Sequence, residues 1–225
     1  MILLLPAILW ALACSAWASD PPGQNLLNFS PAQTDRLKLG QVVVREETDG
    51  HGLKRVAAAV LIQAPPEQIW NVMVDCDRAL EFAPGLKGCK VLERHEDSDI
   101  IEHRVKFSWL IPEVRYVFLA RYDRFKRIDF HRVSGDLRAL AGAWVLEPLN
   151  SHRTLVLYSV YIDPGFFVPQ WIVRLVLKRD LPELLLALRR RAGHMPRGGA
   201  EGRPMNGFLA QVEGSHDLRH YTHFE

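Results

Sequence analysis

Neither sign of charge dominates this chain. Its 28 Lys and Arg stand against 26 Asp and Glu, mixed along the sequence, and the resulting net charge of +2 leaves no electrostatic footprint for nucleic acid. Cysteine is scarce, 3 in 225 residues, and none falls in a Cys-x-x-Cys spacing. Enzyme signatures are missing too: there is no Gly-x-Ser-x-Gly elbow, no Gly-rich phosphate loop and no His-Glu-x-x-His. The longest apolar run, Ile2 to Ala13, falls short of the roughly 20 residues a membrane span needs. What is present is a hydrophobic content of 48%, enough to bury one full core with little room for a second domain.

Met1 to Ala18 carries no charged side chain and closes on Ala16-Trp17-Ala18, a small-x-small pattern followed by Ser19-Asp20-Pro21-Pro22. It reads as a secretory signal cleaved after Ala18, which places the mature protein in the periplasm or cell envelope. Acylation of Cys14 in Ala11-Leu12-Ala13-Cys14 is the alternative. Removal of the signal leaves Cys76 and Cys89 as an even pair in an oxidising compartment. They either form a disulfide or stay as two small buried residues that never meet.

Further along, Val56 to Ile62 is rich in β-branched residues and stops at Ala64-Pro65-Pro66, where Pro suits only the first turn of a helix. Ile69, Trp70, Val72 and Met73 then recur at helical spacing, and Pro84-Gly85 returns the chain to sheet. Gln41 to Glu46 and Leu53 to Ile62 form a first hairpin. Strands are expected at Lys90 to His95, Ile100 to Trp109, Val114 to Asp123, Arg127 to Val133, Ala139 to Glu147 and Thr154 to Asp163. Their short connections imply antiparallel pairing. A long helix runs from about Val168 to Arg191, and Pro182, with Asp180 placed as an N-cap, predicts a kink or break near Arg179 to Pro182. The expected organisation is a signal over residues 1–18, a leader over 19–40, one domain over 41–192 and a disordered tail over 193–225. An antiparallel sheet crossed by one apolar-faced helix is a two-layer α+β arrangement.

These residues carry a resemblance. Ala64-Pro65-Pro66-Glu67-Gln68-Ile69-Trp70, Asp75 with Asp77, Phe82-Ala83-Pro84-Gly85-Leu86, Gly135, Gly142-Ala143-Trp144-Val145-Leu146-Glu147-Pro148, Thr154 with Tyr158 and the long last helix keep their order from about Gln41 to Arg191. In this the chain resembles the START-like, or SRPBCC, superfamily. The resemblance implies a helix-grip fold, in which a curved sheet grips the C-terminal helix around a hydrophobic cavity. It also implies kinship with coenzyme Q-binding and polyketide cyclase-like members, and envelope placement for members that carry a signal.

Alternation puts Ile101, His103, Val105, Phe107 and Trp109 on one face of their strand, and the same rule groups Tyr116, Phe118, Ala120 and Tyr122, then Leu140, Gly142, Trp144 and Leu146. Such rows either line a hydrophobic ligand site with one or two polar contacts or fill the interior as packed core. The expected ligand set is Ile101, His103, Val105, Phe107, Tyr116, Phe118, Trp144 and Tyr158 from the sheet, with Trp171 and Leu175 from the helix. His103 is the titratable group in an apolar row, able to orient a ligand oxygen or to move a proton. The other reading is a core histidine satisfied by a backbone carbonyl. Asp75 and Asp77 read as turn residues. His216, His220 and His223 have metal-like spacing in the tail, but no metal and no cofactor is expected. Phe166, Phe167 and Trp171, with Arg174, Lys178 and Arg179 nearby, either touch an anionic membrane surface transiently or plug the end of the sheet. The function expected is non-catalytic binding or transport of a lipid, isoprenoid quinone or polycyclic compound, with a cyclase or dehydratase as the alternative.

Overall fold

A computed structural model of the chain describes residues 28–48, 53–106, 113–165 and 168–194. Residues 1–18, expected as a signal, and residues 195–225 of the expected tail lie outside the described residues, as do Phe107, Trp109, Phe166, Phe167, His216, His220 and His223.

Eight strands form one antiparallel sheet in the order β1-β2-β8-β7-β6-β5-β4-β3. They are β1 (Val43–Thr48), β2 (Lys54–Ile62), β3 (Leu86–Arg94), β4 (Ser98–Val105), β5 (Val114–Asp123), β6 (Arg127–Gly135), β7 (Ala139–Asn150) and β8 (Arg153–Asp163). Strands adjacent in sequence pair with one another, except where β2 leaves for β3 at the far end of the sheet. That crossing is made by helix α2 (Pro66–Met73) and a short 3-10 helix at Ala79–Glu81. Pro65 is the N-cap and Pro66 opens the helix, where a missing amide costs no hydrogen bond. Buried Thr154 donates its Oγ1 hydrogen to the Ala64 carbonyl at 2.8 Å, tying β8 to this corner.

Helix α3 (Gln170–Gly193) packs against β2, β1, β8 and α2. Of the kink or break expected near Arg179 to Pro182, the break does not occur, and the helix is continuous through Pro182. Proline removes the bond to the carbonyl four residues back and costs about 3 kcal/mol in a helix interior. Leu177, Leu181, Leu185 and Leu188 are buried on one stripe, and each such side chain contributes about 1.5–3 kcal/mol, so packing outweighs the lost rung. Asp180 caps nothing and instead accepts from Arg179 Nε at 2.7 Å. At the C-terminal end of α3, Gln68 Nε2 donates to the Ala192 carbonyl at 2.6 Å, and Arg189 Nη1 donates to the Gly40 carbonyl at 2.6 Å.

The leader expected to reach residue 40 gives way earlier. Ser30 and Gln33 form a capping box that starts helix α1 (Pro31–Lys38), and its buried Leu37 joins Val43, Ala57, Ala59, Leu155 and Leu157 in a core cluster with Phe29, Leu61 and Val145. Alternation places Val56, Val60 and Ile62 of β2 on the opposite side, also buried. β2 is therefore covered on both faces, which is why its sequence is an unbroken apolar run.

Candidate functional site

The cavity lies between the inner face of the sheet and α3, with a volume of about 260 Å³. β4 contributes Ile101, His103 and Val105, β5 contributes Tyr116, Phe118, Ala120 and Tyr122, and β6 contributes Ile128 and Phe130. Leu140 and Trp144 of β7 and Tyr158 and Ile162 of β8 complete the sheet side. Of the expected ligand set, Ile101, His103, Val105, Tyr116, Phe118, Trp144 and Tyr158 are brought together on this surface.

Trp171 and Leu175 are not. They are 61% and 60% exposed, and Val176, Leu177, Asp180, Leu181, Leu184 and Leu188 face the cavity instead. At 3.6 residues per turn Trp171 and Leu175 sit about 120° and 160° around the helix from Leu177. Both belong to the outer side. An apolar pattern on a helix with exposed Trp and Leu does not by itself say which side is inward.

Sequence reasoning also missed a wall. Met73 and Val74 at the end of α2, then Ala79, Phe82, Ala83, Pro84 and Leu86, line the cavity together with Cys76 and Cys89. The two cysteines form a disulfide, with Cα atoms 5.5 Å apart and a sequence separation of 13. The alternative of two unpaired residues is thereby closed. Within the loop, Asp75 is a turn residue, its Oδ1 accepting from the Arg78 amide at 3.1 Å. Glu81 reaches Arg191 of α3 at 2.7 Å, and the Gly85 carbonyl accepts from the Lys106 amide at 2.8 Å. The apolar residues at 79–86 were legible as types, but only the disulfide shows that the segment folds inward.

The floor of the cavity is a chain of rings across five strands. Trp144 stacks on Tyr158 with centroids 4.0 Å apart, and Tyr158 on Phe130 at 6.0 Å. Phe118 meets Phe130 edge-on at 6.2 Å, and His103 meets Phe118 edge-on at 4.9 Å. Phe130 lies opposite Gly142 on β7. A β-carbon at 142 would run into the Phe130 ring and the Ser159 carbonyl, so the glycine makes room for this ring.

Polar groups are few. His103 Nδ1 and the Tyr116 hydroxyl are 3.4 Å apart, a long hydrogen bond whose direction follows the imidazole tautomer. Burial lowers the His103 pKa to about 4, so the ring is neutral at pH 7. Burial raises the Tyr116 hydroxyl, and burial with the neighbouring Tyr116 raises that of Tyr158. Both remain protonated donors. Farther along, the Tyr122 hydroxyl donates to buried Asp99 at 3.1 Å, and Arg94 pairs with the same carboxylate at 3.3 Å. Burial, then the Asp99 charge, pushes the Tyr122 pKa up. Among the described residues no group of acidic, His and Cys side chains can hold a metal ion.

An eight-stranded antiparallel sheet wrapped on a C-terminal helix around an apolar cavity defines a helix-grip protein of the START-like class. Residues 62–189 match the family model described as polyketide cyclase/dehydrase and lipid transport, and the chain belongs to that family. No curated protein sequence matches it. Among solved structures it is similar to the Zhui aromatase/cyclase from Streptomyces sp. R1128, with TM-score 0.57, 16% identity, and coverage of 65% of this chain and 97% of that one. It is similar to the STAR-related lipid transfer protein from Xanthomonas axonopodis, with TM-score 0.57, 18% identity, and coverage of 68% and 92%. A START superfamily protein from Mycobacterium smegmatis gives TM-score 0.56 at 20% identity, covering 63% and 99%. At these identities the likeness is one of fold.

Proposed function

We propose that this chain binds or transports a hydrophobic small molecule, a lipid, isoprenoid quinone or polycyclic compound, in the cavity between sheet and α3, without catalysis. The observation that carries this reading is an apolar and aromatic cavity with few polar groups, the neutral His103, Tyr116 and Tyr158 on the sheet side and the Asp180 carboxylate, held by Arg179, on α3. Apolar area removed from water contributes about 25 cal/mol per Å², and one or two hydrogen bonds orient the bound molecule. The family description, which spans cyclases and lipid transport, supports both this reading and a cyclase or dehydratase one. The His103–Tyr116 pair is the feature an enzyme would use. A histidine with a pKa of about 4 is a weak base at neutral pH, where catalytic groups work best with values near the ambient pH. That lowered basicity, in a cavity lined mainly by apolar and aromatic side chains, supports the binding reading.

We extend the proposal to place and surface. Export to the envelope is supported by the composition of residues 1–18 and by the Cys76–Cys89 disulfide, a bond that persists in oxidising compartments. Transient contact with a membrane surface is supported by exposed Trp171 and Leu175 on the outer side of α3. No described helix is long and apolar enough to cross a membrane.

Binding of a neutral naphthylamine dye, fluorescent only in apolar surroundings, tests the cavity. Ala120 is buried and lines it. Ala120→Phe fills the space, and we expect wild-type protein to bind the dye and the variant to lose at least about ten-fold in affinity, roughly the 1.4 kcal/mol of two buried methylene equivalents. Equal binding by a folded variant would remove the dye from the cavity and the cavity from the function.

A further inference from the structure

The cavity wall holds a reactive group that binding alone does not use. Cys76 and Cys89 both line the cavity, and both side chains are half-buried rather than sealed in the core. We propose that their disulfide is a redox site that exchanges with a small-molecule thiol and, through its state, sets how tightly the cavity holds its contents. The coupling rests on the binding role proposed above. The exchange chemistry does not.

One observation is the residue opposite. Cys89 on β3 stands directly across from His103 on β4, and directly opposed residues of an antiparallel pair bring their β-carbons to about 4.5–5.5 Å on one face. Both side chains line the cavity. In the tautomer whose Nδ1 accepts from the Tyr116 hydroxyl, the ring proton sits on Nε2. That N–H is a donor for a sulfur leaving as thiolate. Exchange runs in two displacements. A thiolate attacks Cys76 Sγ and forms a mixed disulfide there, while the Cys76–Cys89 bond breaks with its electron pair on Cys89 Sγ, across from His103. A second thiolate attacks the thiol-derived sulfur of the mixed disulfide and expels Cys76 Sγ as thiolate. The two protons given up by the incoming thiols end on the two cysteines. The protein disulfide is thereby reduced to a dithiol, and two small thiols are oxidised to one disulfide.

The other observation is what the bond holds. β3 is an edge strand with β4 as its one neighbour, and the register between them shifts on both sides of Cys89, between Leu86 and Gly88 and between Val91 and Glu93. Such irregularities locally disrupt the ladder. On the Cys76 side, the polar ties of residues 74–85 beyond their own turns are, among the described residues, Glu81 to Arg191 and the Gly85 carbonyl to the Lys106 amide. The first is a part-exposed ion pair, a kind that contributes little. Val74, Ala79, Phe82, Ala83 and Pro84 of this segment form the wall. Reduction loosens that wall and leaves the aromatic floor in place. The oxidised protein then holds a ligand more tightly than the reduced one, and a bound ligand makes the disulfide harder to reduce by the same factor.

Equilibration of the protein with reduced and oxidised glutathione, followed by acid quenching, alkylation and mass spectrometry, reads the redox state, and the naphthylamine dye reads the cavity. We expect glutathione to reduce the bond faster than the protein unfolds. The oxidised form should bind the dye about ten-fold more tightly than the reduced form, and saturating dye should shift the glutathione equilibrium about ten-fold toward the disulfide. His103→Phe should slow reduction about ten-fold, the scale of one hydrogen bond to the leaving sulfur. His103→Gln, which keeps an N–H donor, should restore most of the rate, and in urea all three proteins should react alike. Reduction no faster than unfolding overturns the redox site, whatever the dye does. Equal rates in folded wild type and His103→Phe overturn the part given to His103. A glutathione equilibrium that saturating dye does not move overturns the control of the cavity and leaves a carrier standing. If the oxidised protein binds no dye, the binding role falls and the coupling with it, while the reduction rate still decides the redox site.

Discussion

Burial holds the His103 imidazole neutral down to a pH of about 4, against an ordinary value of 6.5. Below 6.5 the unfolded chain takes up a proton that the folded chain refuses, so this group makes stability fall as pH drops from 6.5 to 4 and level off beneath. Its depressed pKa corresponds to about 3 kcal/mol across that window. Urea unfolding of His103→Phe should show that much less acid sensitivity than wild type, while the variant still binds the neutral dye. Identical pH profiles would mean the imidazole is solvated. On the other side of the molecule, Trp171 and Leu175 are exposed, and surface changes usually stay within about 0.5 kcal/mol. Trp171→Ser with Leu175→Ser should therefore leave dye affinity and melting temperature nearly unchanged and lower retention on anionic vesicles in a flotation assay. Unaltered retention would remove this surface from any membrane contact.

At the scale of elements, the disulfide is the tie that makes a loop into a wall. Between Val74 and Leu86 the backbone bonds are mostly local turns, and the segment is anchored by Cys76–Cys89, by Glu81–Arg191 and at Gly85. Closing a loop of this size stabilises by about 3 kcal/mol in the chain-entropy model. Cys76→Ser with Cys89→Ser should lower the urea midpoint accordingly and loosen dye binding, and reductant should do the same to wild type but not to the variant. A variant as stable and as tight as wild type would show that the wall holds itself. The strands were readable because alternation and β-branching act locally, and the start of α2 because two prolines leave the chain little choice. The unbroken α3 was not. Pro182 signals a break locally, and only the packing of Leu177, Leu181, Leu185 and Leu188 overrides it. The capped helix α1 was missed for a similar reason: Ser30 and Gln33 are ordinary polar residues until Leu37 finds a sheet to bury against.

For the whole molecule, one sheet serves two layers. Its outer face, at β1, β2, β8 and β7, packs with α1, and its inner face meets α3 at β2, β1 and β8 and leaves space elsewhere. The strand half of that space was legible, since Ile101, His103, Val105, Tyr116, Phe118 and Trp144 each follow from period-two patterning, and Tyr158 was among the residues that carry the family resemblance. The helical half was not, because the amphipathic stripe of α3 admits two orientations until the fold chooses, and the loop half depended on a bond between distant cysteines. The central claim is that the space holds a hydrophobic molecule. The most direct test is native mass spectrometry of the protein taken gently from the cells that make it, with organic extraction of whatever is released. The account predicts a stoichiometric neutral apolar ligand that is absent from Ala120→Phe. Wild-type protein that is consistently empty, and whose melting temperature added ligands do not move, would contradict it.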